Sequence, residues 1–497
     1  MRLQDLSNKQ VVLGSGISGV AVARELLNAK KSVVMIDAGY PRNIIASKKE
    51  RLSYQRMFVS LKFKLQEMSF AYANYKSLAR IKEQGFNSIG SLAQGGLSNL
   101  WGANIDPYED SDLDTFTYKK DDIKEISKEL TNYYTNYSNQ GVIAGRKIQS
   151  IDNRCLDLIS KRLDEDSRVC FKPATIALAR KDFDSKRECS FHRDCGADCP
   201  NKEIFNAKYE LDDLLKHKNF TYIKGIYIKS VDKLSDGYLL RTIRLENQSK
   251  SLFKAKSVFC CLGTLSTTKL VLSMKKAINV NLPLLSTPAA TFILFSLKKK
   301  KETMEVLPFA NAVFQISISG QKVGGCLFPF PSDFLLNYLP KMKIINWLLN
   351  IARALIFDRL MIALVNFSSD YSSNTLLLDK DDNLVISSLG HSANLKNTFK
   401  NCMNLLKQVF KKEGYYVFPF KGKLLDAGED IHIGGTLPME QQPSEYACNQ
   451  YGELSECKNF FITDPSALKR LAGKGHTFNS VVQSIYVVRN YLKRETK

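Results

Sequence analysis

Residues 10–37 read QVVLGSGISGVAVARELLNAKKSVVMID: a short apolar run, a helix-spaced stretch, then a second apolar run that ends on an acid. Apolar runs this short, bounded by glycine, predict strands buried on both faces, and the stretch between them predicts the helix that connects them. The same order returns at residues 258–273, VFCCLGTLSTTKLVLS, where an apolar strand meets Gly263 and a helix is predicted to begin near Ser266 or Thr267, either of which can cap it. Residues 220–245 alternate apolar and polar positions around Asp236-Gly237, the pattern of a β-meander. Further strands are predicted across residues 291–328 and 360–388, the latter broken at 379–383, and an amphipathic helix across 394–413. Near the C-terminus, residues 460–479 run from a strand through Asp464 into a loop, with a helix following over 477–492. Residues 48–82 are basic, aromatic-rich and predicted to be mainly helical. Residues 340–357, PKMKIINWLLNIARALIF, predict an apolar helix with one narrow polar stripe of Asn346, Asn350 and Arg353.

Chemistry enters first through the glycines. Gly14, Gly16 and Gly19 form a G-x-G-x-x-G pattern between a strand and a helix, and Asp37 ends the next strand, eighteen residues after Gly19. Gly14 permits the tight turn, Gly16 lets the backbone approach a pyrophosphate at the helix N-terminus, and Gly19 allows helix to pack on strand. Asp37 is placed to accept hydrogen bonds from a ribose. The pattern therefore predicts a dinucleotide, either FAD or NAD. A second glycine-rich loop, residues 88–104, holds Gly90, Gly95, Gly96 and Gly102 with few charges, where backbone passes close to a flat or bulky group or simply turns. The strand and helix around Gly263 would supply a second edge of the cofactor site.

Composition narrows the partners. A chain of 497 residues with 44% hydrophobic positions can bury a large interior, in two domains or one elaborated one. The net charge of +21 suits an anionic membrane face or a phosphorylated substrate; nucleic acid is excluded as a partner because no recognised module is present and the lysines are scattered. Eleven cysteines, with the first strand predicted to begin too early for an export signal, suit a reducing, cytoplasmic setting. With Lys341, Lys343, Arg353 and Arg359 around it, the 340–357 helix is either a core helix or an interfacial one that docks on the inner membrane face. Two of the five histidines, His432 and His476, lie in small-residue loops beside the predicted cofactor elements, where a neutral imidazole can act as a general base or merely hydrogen-bond locally.

In this order, the first glycine motif, GGLSNLWG from Gly95, CLGTLSTTKLVLS, HIGGTLPM from His432 and the DPS…HTFN element from Asp464 resemble the glucose-methanol-choline oxidoreductases, and most of all their bacterial sugar-dehydrogenase and polysaccharide-cluster branch. The resemblance is carried by about residues 10–104, 186–275 and 428–494. It implies an α/β fold: a Rossmann-like FAD-binding domain at 1–282, an inserted α+β substrate domain on an antiparallel sheet at 283–425, and a return to the first domain at 426–497. It implies FAD held by Gly14, Gly16, Gly19 and Asp37, with Gly95, Gly96, Ser98 and Asn99 near the isoalloxazine, Gly263 at its edge, and Asp464 near the pyrophosphate or ribityl end. The flavin should be noncovalent, because Trp101 stands where covalently flavinylated members carry a histidine. His432, in an H-x-x-G-T motif, would remove the proton of a substrate hydroxyl, with His476 sharing that task. The implied substrate is the alcohol of a small-molecule or lipid-linked sugar, with the electron acceptor open. A nicotinamide-dependent flavin reductase is the alternative, disfavoured by the lack of a second Rossmann motif, and a non-catalytic descendant of the fold is another.

Cys189, Cys195 and Cys199, followed by Pro200, complete the candidates. Their spacing resembles a segment that holds a three-iron cluster in some FAD-dependent sugar dehydrogenases. Zinc on these cysteines with His192, or a loop without metal, are the other readings.

Overall fold

Val11, Val12, Leu13 and all four residues of Val33–Ile36 are fully buried, and they form the middle of a five-stranded parallel sheet. Its order is Phe220–Ile223, Val33–Ile36, Gln10–Leu13, Ser257–Cys260 and Phe460–Ile462. Numbered along the chain this is 3-2-1-4-5, so the direction of winding reverses beside Gln10–Leu13, and a ligand crevice opens at the carboxyl ends of strands flanking such a reversal. Both strands there end in the predicted glycine turns. The computed structural model describes residues 3–40, 73–114, 116, 119–135, 142–143, 146–147, 151–160, 169–177, 204–299, 309–318, 320–329, 359–417 and 422–495. The cysteine segment 189–200, the apolar stretch 340–357 and most of the basic segment 48–82 lie outside these residues.

Helices cover the sheet. Ile17–Asn28 follows the first glycine turn and packs against Thr477–Glu495 and Ala207–Leu214, which brings both ends of the chain onto one side of the parallel sheet. Ile226–Leu234, Gly237–Arg244 and Lys250–Ala255 form the meander, joined at its edge by Leu3–Asp5. Phe220–Ile223, which alternation alone assigns to that meander, belongs instead to the parallel sheet. The 48–82 segment likewise ends differently from a helix: after Ala73–Ala79, strand Ile81–Gln84 pairs in parallel with Leu384–Ser388.

The second large sheet is antiparallel, running Tyr415–Val417, Ala289–Ser296, Leu360–Asn366, Gln321–Pro329, Ala312–Ile318 and Val169–Pro173, with Lys423–Leu424 paired beside Ala289–Ser296. The strand at 169–173 reaches it from ahead of the 283–425 stretch. Side chains alternate between its faces. Met361, Ala363 and Val365 pack with Phe292, Phe314 and the buried stripe of helix Ala393–Lys412, formed by Leu395, Cys402, Leu406 and Phe410. Leu364 and Asn366, with Cys326 and Phe328 of the neighbouring strand, face the other way and wall a cavity. Between the large sheets, Leu282–Ser286 pairs with Asn374–Leu378 on one side and with Ile433–Gly434 on the other, so the end of the chain is carried to the mouth of the antiparallel sheet. No helix among the described residues is long and apolar enough to cross a membrane.

Candidate active site

A cavity of about 320 Å³ runs between the two large sheets, from the first glycine turn at one end to His432 and His476 at the other. At the first end, Gly14 has φ +95°, and a Cβ there would stand 2.6 Å from the Cys261 carbonyl oxygen of the adjacent strand end. A Cβ on Gly19 would stand 2.0 Å from the Gly14 carbonyl oxygen, so this position holds helix against turn and lies behind the wall. Gly16 is different: a Cβ there would meet no atom within 4 Å. It is the N-cap of Ile17–Asn28, no side chain caps that helix, and its first turn carries no acid. Free N–H groups, a helix dipole and open space make this end fit for an anion.

Asp37 is buried beside the turn. Its Oδ2 accepts from Ser15 Oγ (2.5 Å) and Tyr222 OH (2.9 Å), and burial pushes its carboxyl up from the ordinary carboxylate value. Ser15 Oγ also accepts from the Gly95 N–H (3.0 Å), which ties the second glycine loop to the first. Within that loop the predicted residues separate. Gly96 and Ser98 line the cavity, whereas Gly95 and Asn99 lie behind it. Asn99 is fully engaged: Nδ2 donates to the Gln94 and Gly96 carbonyls, and Oδ1 accepts from Asn206 Nδ2. Ser98 Oγ accepts from the Ala207 N–H and donates to the Gly95 carbonyl. These two side chains hold the loop against helix Ala207–Leu214. Trp101 lines the cavity and donates Nε1–H to the Phe205 carbonyl.

Gly263 lines the cavity beside the first turn, two residues past Cys261, with φ +82° and nothing within 4 Å of a Cβ. It, and neither Ser266 nor Thr267, is the N-cap of Thr264–Met274. The carboxylate that serves the helix start comes from Asp464, whose Oδ2 accepts from the Gly263 N–H (2.9 Å) and from Thr267 Oγ1 while Oδ1 accepts from the Ser466 N–H and hydroxyl. Asp464 also lines the cavity, and burial raises its carboxyl pKa.

His432 and His476 meet at the far end, ring centroids 5.2 Å apart and planes nearly perpendicular. Burial holds His432 down at about 4 and, together with the neighbouring His432, holds His476 well below the ordinary imidazole value, so both rings are neutral at neutral pH. His432 Nδ1 lies 3.0 Å from Thr287 Oγ1, which in turn reaches Asp430 Oδ2. With Nδ1 engaged, Nε2 is the nitrogen left for a substrate. His476 Nδ1 is buried with no hydrogen-bond partner, and so is Asn104 Oδ1 on the cavity wall. The loop bearing His476 is fixed from behind: Lys474 Nζ sits 3.1 Å from Asp112 Oδ2 and 3.5 Å from Asp106 Oδ1, and a Cβ on Gly324 of the antiparallel sheet would stand 2.0 Å from the Gly473 carbonyl oxygen.

Two parallel glycine turns at a winding reversal, roofed by an antiparallel sheet, decide the fold. It is shared with two known oxidases. Pyridoxine 4-oxidase from Mesorbium loti is similar with a TM-score of 0.59 and 11% identity, the match covering 98% of this chain and 99% of that one. Formate oxidase from Aspergillus oryzae RIB40, a protein whose FAD is subject to modification, is similar with a TM-score of 0.64 and 11% identity, covering 100% and 99%. The match is to the glucose-methanol-choline oxidoreductase fold over the whole length. No protein-family model matches the sequence, and no curated protein matches it.

Sequence reasoning missed Ser15, Tyr222, Asn206, Thr287 and Asp430. Asp430 stands two residues before His432 and is visible as an acid beside a candidate base. Thr287 and Tyr222 belong to no local pattern, since they reach their partners across 145 and 185 residues. Among the described residues no group of three or more His, Cys, Asp or Glu could hold a metal ion.

Proposed function

We propose that the protein is an FAD-dependent oxidoreductase that oxidises a CH–OH group, with His432 as the base. The observation that carries this reading is the single cavity that joins an uncapped helix N-terminus at Gly16 to a pair of neutral imidazoles. The residues fit FAD. Gly14, Ser15 and Gly16 would hold the pyrophosphate, Asp37 a ribose, Gly96, Ser98 and Trp101 the ring region, and Gly263 with Asp464 a second edge, without a covalent link. When bound, the flavin supplies an acceptor for the hydride of the carbinol carbon. His432 Nε2 takes the hydroxyl proton of the substrate, so that proton and hydride leave to different acceptors and a carbonyl product remains. His476, whose ring lines the same cavity beside His432, is placed to orient the same oxygen, and the antiparallel sheet walls the substrate from water. That both structural neighbours are oxidases, one of them with FAD, supports the reading.

For the substrate we infer a sugar or glycoconjugate alcohol from the sequence resemblance. Simple alcohols belong in the same screen, because Ala310, Cys326, Phe328 and Leu364 give part of the wall an apolar character. Peripheral contact with an anionic membrane is inferred from the net charge. The deciding experiment mixes purified, FAD-loaded protein anaerobically with this panel and follows the visible flavin absorbance. Bleaching by at least one alcohol is expected. A protein that cannot be loaded with FAD, or a bound flavin that no alcohol bleaches, would sink the proposal. Iron, sulfide and zinc analysis of anaerobically purified protein decides between a cluster, zinc and a plain loop at Cys189, Cys195 and Cys199.

A further inference from the structure

We propose that Asp430, acting through the hydroxyl of Thr287, sets which nitrogen of His432 carries the ring proton, so that the base is armed only while Asp430 is ionised. The inference rests on His432 being the base, as proposed above; Asp430 and Thr287 are positioning residues that act through the His432 ring, Thr287 from behind the cavity wall and Asp430 at its edge.

The geometry is a three-member chain. Asp430 Oδ2 accepts from the Thr287 N–H at 2.8 Å and from the Thr287 hydroxyl at 3.3 Å, and Thr287 Oγ1 lies 3.0 Å from His432 Nδ1. A hydroxyl has one proton to give. When Asp430 is ionised its carboxylate takes that donation, Thr287 Oγ1 is left as an acceptor, and a neutral His432 meets it with Nδ1–H. The lone pair of the ring is then on Nε2, where a substrate hydroxyl can be deprotonated. When Asp430 binds a proton it no longer draws the hydroxyl proton, which turns to Nδ1. The ring proton then moves to Nε2, and the same imidazole becomes a donor where a base is needed. Ring charge is unchanged between the two states, because the only proton gained is the one on Asp430.

The surroundings place this switch in a useful range. Burial is the main influence on Asp430 and raises its carboxyl to about 7, against the lowering effect of the Thr287 N–H and hydroxyl and its own backbone N–H. Glu429 raises it further. Asp426 and His391 line the small cavity on its other side, where His391 Nε2 lies 2.7 Å from the Leu425 carbonyl oxygen. His432 itself stays neutral down to about 4, so a transition near neutrality belongs to Asp430. The sign follows: the base is present above that transition and lost as pH falls through it.

The test uses full-length, FAD-loaded protein labelled with ¹⁵N at histidine, which gives five ring systems to assign. Nitrogen shifts of His432 should report the Nδ1–H tautomer on the alkaline side and the Nε2–H tautomer on the acid side, with a midpoint near 7. Asp430→Asn and Thr287→Val should each abolish that pH dependence, and Thr287→Ser should restore it. In parallel, the rate of alcohol-dependent flavin reduction should show an acid limb at the same midpoint in the natural protein and none there in Asp430→Asn. Loss of the correct tautomer in Thr287→Val should lower this rate by up to about 10²–10⁴-fold with substrate binding little changed, since a misplaced ring proton disables a positioned base. A ring that keeps one tautomer across the range, or a transition that survives in both Asp430→Asn and Thr287→Val, overturns the relay. A His432→Ala protein that still reduces its flavin at the natural rate would instead overturn the role of the base, while the tautomer measurements stand on their own.

Discussion

His432 is held through Nδ1 by Thr287, whereas the His476 ring lines the cavity with its Nδ1 buried and unpartnered, and the two should respond differently to removal. His432→Ala should slow alcohol-dependent flavin reduction by about 10²–10⁴-fold, the usual worth of a positioned base, and His476→Ala by less. Both should keep their FAD, measured by its release on denaturation, because neither touches the glycine turn. Equal rates for His432→Ala and the natural protein would remove that ring from the chemistry. The glycines offer a sharper pair. Gly16→Ala meets nothing in the protein and should melt at close to the natural temperature while losing FAD, since its methyl fills the space kept for the ligand. Gly19→Ala runs into the Gly14 carbonyl and should fold poorly or not at all. Equal stability of the two variants would refute this division of labour. The sequence displays these residues because a phosphate-binding turn is a local device, readable from spacing. Thr287 and Tyr222 escape it because their partners are brought to them by sheet pairing, and nothing beside them in the chain marks the meeting.

At the level of elements, Thr264–Met274 begins earlier than its serines and threonines suggest. Gly263 caps it, and Asp464, 201 residues away, supplies the carboxylate that a local cap would have given. Removing that carboxylate strips acceptors from two N–H groups and two hydroxyls at once. At about 1.5–3 kcal/mol for a buried hydrogen bond to a charged group, and with incomplete additivity, Asp464→Ala should cost several kcal/mol and weaken FAD binding. Chemical denaturation checks it, and an unchanged midpoint would mean that the helix start does not depend on Asp464. A second element-level prediction concerns Asn153–Ser160, whose Arg154 is fully buried against an equally buried Asp152, Nη2 to Oδ2 at 2.6 Å. Asp152→Ala removes the carboxylate that accepts from Arg154 Nε and Nη2 and should destabilise the protein by several kcal/mol, at most about 3–5, as measured by chemical denaturation. Most of the elements read from apolar and alternating runs form among the described residues, whereas Lys120–Thr135, Asn153–Ser160 and Ala207–Leu214 go unread. Phe220–Ile223 was misassigned because four residues of a strand read alike in a meander and in a parallel sheet, and only the neighbour Val33–Ile36 distinguishes them.

For the molecule as a whole, a ligand held in the cavity between the two large sheets would stabilise the fold. A ligand bound only by the folded state adds about 2.7 kcal/mol at a hundred times its dissociation constant. Stripping FAD should therefore lower Tm, and restoring it should raise Tm in proportion to the logarithm of added FAD; a Tm indifferent to FAD would contradict the site. The charge of +21 should retain the protein on anionic vesicles at low salt and release it as salt rises, and failure to bind at low salt would end the membrane proposal. Fold class was legible at this scale, but the winding order was not, because it depends on where Phe220–Ile223 and Phe460–Ile462 dock. That docking also governs the order of events during synthesis. The cavity takes Gly14 from one end of the chain and His476 from the other, and helix Thr477–Glu495 closes on Ile17–Asn28. A ribosome adding about 5–20 residues per second exposes the first glycine turn long before the strand and helix that complete its sheet. Strands Gln10–Leu13 and Val33–Ile36 are therefore made before their sheet partners Phe220–Ile223, Ser257–Cys260 and Phe460–Ile462, and must be kept from pairing elsewhere until those emerge.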